Sequence, residues 1–385
     1  MNPEQILLKL IQFAASAETS SICCAELEKS LDNVWSLAQR HDLAHLAAHA
    51  IPVGKISNND ILSEFQTAKT QAIYRYLRLD HAYQQVCAIL EDAYVSYIPL
   101  KGTVVREYYP EPWMRTSCDI DILVHENDLD HAVQSLTKQG WCIEGKKNYH
   151  DISLRSSSGV HLELHFSIKE NIGYIDEILE KVWEYSALVK GKQYEYRQVS
   201  EFLIFHLLAH MSYHLLKGGC GIRSVLDIWI LRNNIAYDEN LLRALCQEGR
   251  LERFHDNVVL LSKVWFEACE HTPTTQYMEK LILDGGVYGS LSGRVILEQG
   301  QYGSKMNHFT HRLVLPYHKL KAKYPILERH KVLTPIYQVV RWIQIFMNNR
   351  LRRSLNELIE SQRNPQNELR QAEIFLVDIG LDKFK

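Results

Sequence analysis

The spacing of apolar residues predicts helices through the N-terminal part of the chain. Apolar positions recur at helical intervals within residues 6–15, 25–39 and 43–51. Residues 61–90 are rich in helix-forming residues and contain neither glycine nor proline. Near residue 94 this pattern stops, and short apolar runs with strand-like alternation take its place.

The segment 94–170 is predicted to form strands and helices in the order β-α-β-α-β-β-β. Residues 117–124 alternate as a strand should, and residues 126–140 have helical spacing that ends at a glycine. The Ser-Ser-Ser-Gly sequence at 156–159 is typical of a hairpin turn between the last two strands. This order indicates a compact unit built on a mixed sheet.

Beyond residue 175 the helical pattern returns and continues along the rest of the sequence. The sequence therefore predicts an α+β protein, with a small mixed-sheet core inserted between an N-terminal helical region and a larger C-terminal helical domain. We place the helical region at residues 1–90, the core at 91–190 and the C-terminal domain at 191–385.

Composition narrows the functional classes. The 385 residues are 46% hydrophobic and carry a formal charge of −3, which argues against a general nucleic-acid binder. No apolar stretch approaches the roughly 20 residues of a membrane-spanning helix, and the N-terminus lacks the features of a signal peptide. The eight cysteines include no C-x-x-C pair, so we expect reduced thiols in a cytoplasmic protein.

Asp119 and Asp121 form an Asp-x-Asp pair within the predicted strand 117–124. Side chains two residues apart on a strand share one face, so both carboxylates should point the same way. Two such carboxylates can bridge a hard cation such as Mg²⁺. Glu163 alternates with Leu162 and Leu164 in a later strand and is the candidate third ligand. An isolated Asp-x-Asp is more often a solvated pair, but these flanks are apolar, and a buried carboxylate is costly without a partner or metal.

A two-metal site of this kind suits in-line phosphoryl transfer. Lys101 and Gly102 lie at a predicted strand-to-helix turn before the Asp-x-Asp pair. Glycine lets backbone approach a phosphate closely, and the lysine adds a positive charge. Arg115 could bind the triphosphate or form an ion pair that fixes the loop; the sequence leaves both open.

These residues together resemble an uncharacterised family of bacterial nucleotidyltransferases within the polymerase-β-like superfamily. The resemblance is tightest over residues 99–166. It rests on a pattern of L-K-G, Y-P, R-x-x-x-D-h-D, a helix that ends in Gly-aromatic, and h-E-h-H, carried in this chain by Leu100, Lys101, Gly102, Tyr109, Pro110, Arg115, Asp119, Asp121, Gly140, Glu163 and His165.

The resemblance implies a nucleotidyltransferase core with flanking helices, dependent on Mg²⁺ or Mn²⁺. Asp119, Asp121 and Glu163 would be the catalytic metal ligands. The substrate would be an NTP, most simply ATP, and the acceptor a small molecule, a sugar, a protein or an RNA. The wider superfamily has Gly-Ser at the turn, whereas this chain has Lys101-Gly102 followed by Thr103. We expect these three residues and Arg115 to contact the phosphates of the NTP.

Three other features have structural and functional interpretations. His206, His210 and His214 recur every four residues and could bind zinc, line the nucleotide cleft or simply pack. The glycines at 218, 219 and 221 lack the spacing of a phosphate loop and indicate a helix–helix turn. Arg223 and Asp227 could form a surface ion pair four residues apart on a helix, or stand at the rim of the cleft.

Residues 301–353 hold eleven Lys or Arg and one acidic residue, Glu328. The segment therefore carries +10, which leaves −13 for the rest of the chain. Such a basic segment with interleaved aromatic residues could bind an anionic partner or a membrane surface. The structural alternative is a basic helical face packed on the acidic remainder.

Two further functions compete with nucleotidyl transfer. One is a catalytically inactive module of the same fold that binds nucleotide or polyanion, which would be favoured if Glu163 pointed away from the aspartates. The other is a zinc hydrolase built on the histidine face, which would require His206 and His210 to converge on a metal.

Overall fold

The computed structural model describes residues 1–16, 22–52, 56, 59–145, 147–170, 172–287, 289–302, 315, 317, 320–321, 324–347 and 366–383. It is an α+β structure, 65% helical, with a small mixed sheet between helical regions, so the predicted fold class is confirmed. The three-part domain division stays a prediction, and the larger hydrophobic core combines residues of both helical regions.

The N-terminal helices lie where the apolar periodicity places them. Asn2 caps the first helix through its side chain, which accepts a hydrogen bond from Gln5 N at 2.8 Å. The fourth helix is long because nothing in its sequence interrupts it. Their bounds are α1 Pro3–Ala15, α2 Cys24–Arg40, α3 Ala44–Ala50 and α4 Asn59–Asp92.

The predicted β-α-β-α-β-β-β order is present between residues 97 and 165. The elements are β1 Tyr97–Pro99, α5 Lys101–Val105, β2 Asp119–Val124, α6 Leu129–Lys138, β3 Cys142–Glu144, β4 Asp151–Arg155 and β5 His161–His165. The strands lie in the order β1-β2-β5-β4-β3. β2 and β5 run parallel, whereas the other neighbours are antiparallel. The sheet is therefore mixed, with β2 at the junction of its two parts.

The two faces of this sheet differ in character. Ile120, Ile122 and Leu162 point to one face, where they are almost wholly buried against α4 and α6 in a smaller core of their own. Alternate residues of β2 and β5 point to the other face, which carries Asp and Glu near its edge and Leu123 further along. Leu123 joins the larger core. The first face is thus buried in an apolar core, and the second carries the polar side chains of β2 and β5 together with Leu123.

The prediction of a helical pattern from residue 175 onward is wrong for residues 186–198. After α7 Gly173–Leu179, a short hairpin of β6 Ser186–Leu188 and β7 Tyr196–Gln198 lies beside β1, where Tyr97 N donates to Tyr194 O at 2.9 Å. Its strands, Ser-Ala-Leu and Tyr-Arg-Gln, show neither strand-like alternation nor the apolar run that marks β1. Gly191, at φ +86°, marks the turn.

The helical prediction holds for the elements that follow, which are α8 Ser200–Leu216, α9 Ile222–Asn234, α10 Glu239–Glu248, α11 Glu252–Phe266, α12 Pro273–Gly285 and α13 Leu291–Tyr302, with two later helices at Thr334–Met347 and Gln366–Asp378. Gly218 and Gly219 lie in the turn between α8 and α9, as expected, at φ +131° and close to Gly289. Within the described residues, no helix combines the length and apolar character needed to cross a membrane.

Candidate active site

The parallel pairing of β2 with β5 assembles the polar group. Asp119 lies opposite His161, and Asp121 lies opposite Glu163, in the register of the two strands. Residues two apart on a strand share a face, so all four side chains stand on the same side of the sheet. The sequence pattern gave the facing direction of each strand, and the register brings the two strands' side chains together.

Two overlapping sets of side chains could each hold a cation. One comprises Asp119, His161 and Glu163, and the other comprises Asp121, Glu163 and His165. Within each set the ligand atoms lie within 4.8 Å of one another. Glu163 belongs to both, so the structure brings together the three carboxylates named from the sequence, whose metal and catalytic roles stay predictions.

The two histidines were not assigned as ligands from the sequence. The signal was present, because the alternation in His161-Leu162-Glu163-Leu164-His165 puts both imidazoles on the face of Glu163.

Lys101 and His165 compensate the charge of Asp121. Lys101 Nζ donates to Asp121 Oδ1 at 3.2 Å, and His165 Nε2 lies 2.9 Å from the same oxygen. Burial alone would raise the pKa of Asp121, but these two cationic partners hold it well below its usual range. His165 Nε2 also lies 3.4 Å from Glu163 Oε2. Burial disfavours the charged imidazole, yet these carboxylates raise the pKa of His165.

Asp119 lies in the opposite electrostatic situation. Burial raises its pKa to about 6, and the neighbouring charges of Asp121 and Glu163 act in the same direction. The three carboxylates together therefore carry more negative charge than Lys101 and His165 balance. Carboxylate oxygens suit both Mg²⁺ and Mn²⁺. The residues present thus fit a divalent cation in both donor type and charge.

The Lys-Gly turn positions the lysine toward the aspartates. Leu100 N donates to Asp121 O at 3.0 Å, which fixes the start of the turn beside β2. Lys101 adopts φ +45°, a left-handed backbone conformation that residues other than glycine rarely take. A Cβ on Gly102 would lie 3.1 Å from Arg115 Nη1, closer than an ordinary contact, so Gly102 lets the turn pack tightly on this side chain. Thr103 is buried. Contacts of these residues with phosphate stay predictions.

Arg115 forms an ion pair, which was one of the two roles that the sequence left open for it. Its Nε donates to Asp227 Oδ1 at 2.9 Å and its Nη2 to Oδ2 at 2.8 Å, while Tyr109 OH donates to Oδ1 at 2.7 Å. The side chains of Arg115 and Asp227 are 13% and 5% exposed. The loop that leads into β2 is thereby tied to α9.

The predicted surface pair between Arg223 and Asp227 is wrong, because tertiary partners engage both side chains. Asp227 is buried on Arg115. Arg223 Nη1 donates instead to Thr116 O at 2.7 Å and to Thr116 Oγ1 at 2.9 Å. Both residues of α9 therefore hold the segment that immediately precedes the Asp-x-Asp pair.

The histidine face of α8 lies near the Lys-Gly turn. His210 Nδ1 lies 2.6 Å from Glu170 Oε1, and His214 Nε2 lies 3.0 Å from His210 Nε2. His206 is fully buried, and burial lowers its pKa to about 3, with the charge of Lys101 acting in the same direction. Within the described residues this face is not among the groups that could hold a metal, so the zinc interpretation has no support. Glu170, which sequence reasoning missed, pairs with a helix 40 residues away.

The two aspartates of β2 and the glutamate of the neighbouring strand β5 thus form a candidate site for a divalent cation. The chain belongs to the family of uncharacterised nucleotidyltransferases, whose model matches residues 28–267. The match covers the sheet, the Lys-Gly turn and α8–α11. No curated protein matches the chain.

Proposed function

We propose that the protein is a metal-dependent nucleotidyltransferase that moves a nucleoside monophosphate from an NTP to a hydroxyl-bearing acceptor. The observation that carries the proposal is the register of β2 and β5, which places Glu163 beside both Asp119 and Asp121. Membership of the nucleotidyltransferase family supports the reaction class.

In the proposed reaction, the acceptor oxygen attacks the α-phosphorus of the NTP. An oxygen–phosphorus bond forms, the bond between the α-phosphorus and the bridging oxygen breaks, and pyrophosphate leaves with the bonding electrons. Bound Mg²⁺ or Mn²⁺ would lower the pKa of the acceptor hydroxyl and neutralise developing charge on the phosphates. The hydroxyl proton would pass to Glu163 or Asp121 and then to solvent.

The residues of the chain have distinct roles in this proposal. Asp119, Asp121 and Glu163 hold the cation, and His165 orients two of these carboxylates through its Nε2. Lys101 supplies positive charge beside Asp121, where a triphosphate bound to the cation would also lie. Arg115 acts at one remove, because its side chain is committed to Asp227.

The wider expectations extend this proposal. We propose ATP as the nucleotide donor and the cytoplasm as the location of the protein. The acceptor is a small molecule, a sugar, a protein or an RNA. The inactive-module alternative expected Glu163 to point away from the aspartates, whereas its carboxylate lies with both. Seven of the eleven basic residues of segment 301–353 lie outside the described residues, so the proposed anionic partner of this segment gains no structural argument.

Incubation of the purified protein with labelled NTPs, Mn²⁺ and cell extract tests the proposal, with transfer measured as a mass shift of the acceptor. We expect the double variant Asp119→Asn, Asp121→Asn to lower turnover by at least about 10³-fold, since loss of one electrostatic contact alone typically lowers turnover by about 10²–10³-fold. The matched control is Asp128→Asn, Asp130→Asn, which alters a second Asp-x-Asp sequence at α6. Equal turnover in the two double variants would refute the assignment.

A further inference from the structure

A polar cavity of about 390 Å³ lies between α2 and α4. Trp35 and Gln39 of α2 form one wall, Thr67 and Gln71 of α4 form the other, and Thr116 closes one end. Its volume falls within the roughly 300–1,000 Å³ of small-molecule sites. We refer to it as the α2–α4 cavity.

The α2–α4 cavity reaches the loop that leads into β2, because Thr116 belongs to its lining. Thr116 precedes Asp119 by three residues, at most about 10 Å of extended chain. A molecule in this cavity is therefore close to the end of β2 at which the candidate metal ligands begin.

A second cavity, of about 340 Å³, lies behind the apolar face of the sheet, opposite to the carboxylates. It is lined by Leu79, Tyr83 and Ile120, which belong to the smaller core behind the apolar face of the sheet. Its charged groups are already paired, since Arg197 contacts Glu195 at 2.8 Å and Glu107 at 3.0 Å. The sheet separates this second cavity from the candidate metal ligands.

The charges of the α2–α4 cavity do not call for an anionic ligand. Asp42 accepts a hydrogen bond from Thr116 Oγ1 at 3.0 Å and lies 3.5 Å from Arg223 and 3.6 Å from Arg75. Its carboxylate offsets one of these two arginine charges, and the carboxylate of Glu64, the remaining charged group of the lining, offsets the other. A phosphate group would meet no surplus of positive charge here.

The remaining groups suit a molecule with many hydroxyls. Thr67, Gln71 and Arg75 are spaced four residues apart, so they form one row along α4. Hydroxyl and amide side chains both donate and accept, as sugar hydroxyls do. Gln39, Thr67 and Gln71 are exposed, and among the described residues no hydrogen bond engages their side chains, so a ligand can reach them from solvent. Trp35 adds a half-buried aromatic surface against which the C–H face of a sugar ring can pack.

We propose that the α2–α4 cavity binds the acceptor, an uncharged polyhydroxylated molecule of monosaccharide size. This inference rests on the proposed nucleotidyltransferase function and names its acceptor class. One sugar hydroxyl oxygen forms the bond to the α-phosphorus, pyrophosphate leaves, and the hydroxyl proton passes through a carboxylate of β2 or β5 to solvent. Arg223 and Asp42, which hold Thr116, couple the filled cavity to the segment that leads into Asp119.

Saturation-transfer NMR with glucose, mannose, galactose and N-acetylglucosamine, each titrated to high millimolar concentration, tests the proposal on the full chain. We expect at least one of these sugars to bind the wild type. Gln71→Trp fills the cavity and should weaken binding by at least about tenfold, equivalent to 1.4 kcal/mol. Thr70→Trp, on the same helix but outside the lining, is the matched control and should bind as the wild type does.

Circular dichroism melting checks that both variants fold. Should Gln71→Trp fail to fold, Thr67→Ala compared with Thr70→Ala provides a second pair, with weaker sugar binding expected in the first only. Absence of binding by all four sugars, equal binding to Gln71→Trp, or tighter binding of glucose 6-phosphate than of glucose would overturn the proposal. Mn²⁺ titration of the same samples separates the two claims, since loss of sugar binding with intact Mn²⁺ binding refutes the acceptor site alone.

Discussion

The chain contains two Asp-x-Asp sequences that are equivalent as motifs and different in structure. Asp119 and Asp121 lie on β2, where residues two apart point to the same face. Asp128 and Asp130 lie at the start of α6, where residues two apart do not face each other. Only the first pair can therefore place two carboxylates around one cation.

The surroundings of the two pairs differ as much as their geometry. Asp130 is exposed, so water solvates its charge at little cost. Asp121 is 7% exposed and meets Lys101, His165 and the neighbouring strand's Glu163. Burial of a carboxylate without full compensation is costly, so Asp119, whose pKa is raised to about 6, persists at the expense of stability. An Asp-x-Asp sequence can therefore bind a cation only where its secondary structure and its neighbouring strand supply the geometry and a further ligand.

Among the changes that separate the two pairs, replacement of Glu163 should have the largest effect, which is a loss of cation binding at Asp119 and Asp121. Glu163→Gln removes the ligand common to both candidate cation sets. We expect Mn²⁺ affinity to fall by at least about a hundredfold, beyond the range of 10–100-fold for groups that only support ligands. Isothermal titration measures the affinity. Glu144→Gln, on the exposed edge strand β3, is the control, and an equal effect of the two substitutions would contradict the site.

Loss of the buried ion pair behind β2 should have the next largest effect. Asp227→Asn leaves the charge of Arg115 without its partner in a buried position. We expect a loss of about 3–5 kcal/mol in the free energy of unfolding, measured by urea denaturation. Replacement of both partners by apolar residues, Arg115→Met with Asp227→Leu, should recover part of that loss. A cost below about 1 kcal/mol for the single variant would show that this pair does not anchor the loop.

The smallest predicted effect is a gain of stability. The folded-state pKa of Asp119, about 6, lies above its ordinary value of 3.8. Its contribution to stability is thus fully present below pH 3.8 and is lost as pH rises through 6. Asp119→Asn should therefore stabilise the metal-free protein above pH 6 by about 1–3 kcal/mol, and hardly at all near pH 4.

Urea denaturation in the presence of a chelator at these two pH values measures that gain. Asp130→Asn, an exposed member of the second pair, should change stability by less than about 0.5 kcal/mol at either pH. A loss of stability in Asp119→Asn above pH 6 would mean that the carboxylate is compensated by the protein itself.

The sequence predicted the helices and the five-stranded sheet because each depends on a local periodicity. It also predicted the carboxylates of β2 and β5, since a period of two decides which side chains share a face. The β6–β7 hairpin was missed, because its strands, Ser-Ala-Leu and Tyr-Arg-Gln, show neither the alternation of β2 and β5 nor the apolar run that marks β1. The two histidines flanking Glu163 were within reach of the same alternation.

The polar network behind the site could not be predicted in this way. Arg115 and Asp227 are 112 residues apart in the chain, and Thr116 and Arg223 are 107 apart. No local pattern relates such residues, because their contacts arise from how α9 packs on the loop before β2. The same holds for the α2–α4 cavity, whose lining combines residues of α2, α3 and α4 with one distant threonine, Thr116.

Titration of Mn²⁺ into three proteins, followed by electron paramagnetic resonance, tests the central claim most directly. The wild type and the control Asp128→Asn, Asp130→Asn should bind Mn²⁺ with the same affinity. The variant Asp119→Asn, Asp121→Asn should lose that binding while it keeps its fold by circular dichroism. Undiminished Mn²⁺ binding in this last variant would contradict the account, because the strand-borne pair would then not be the metal site.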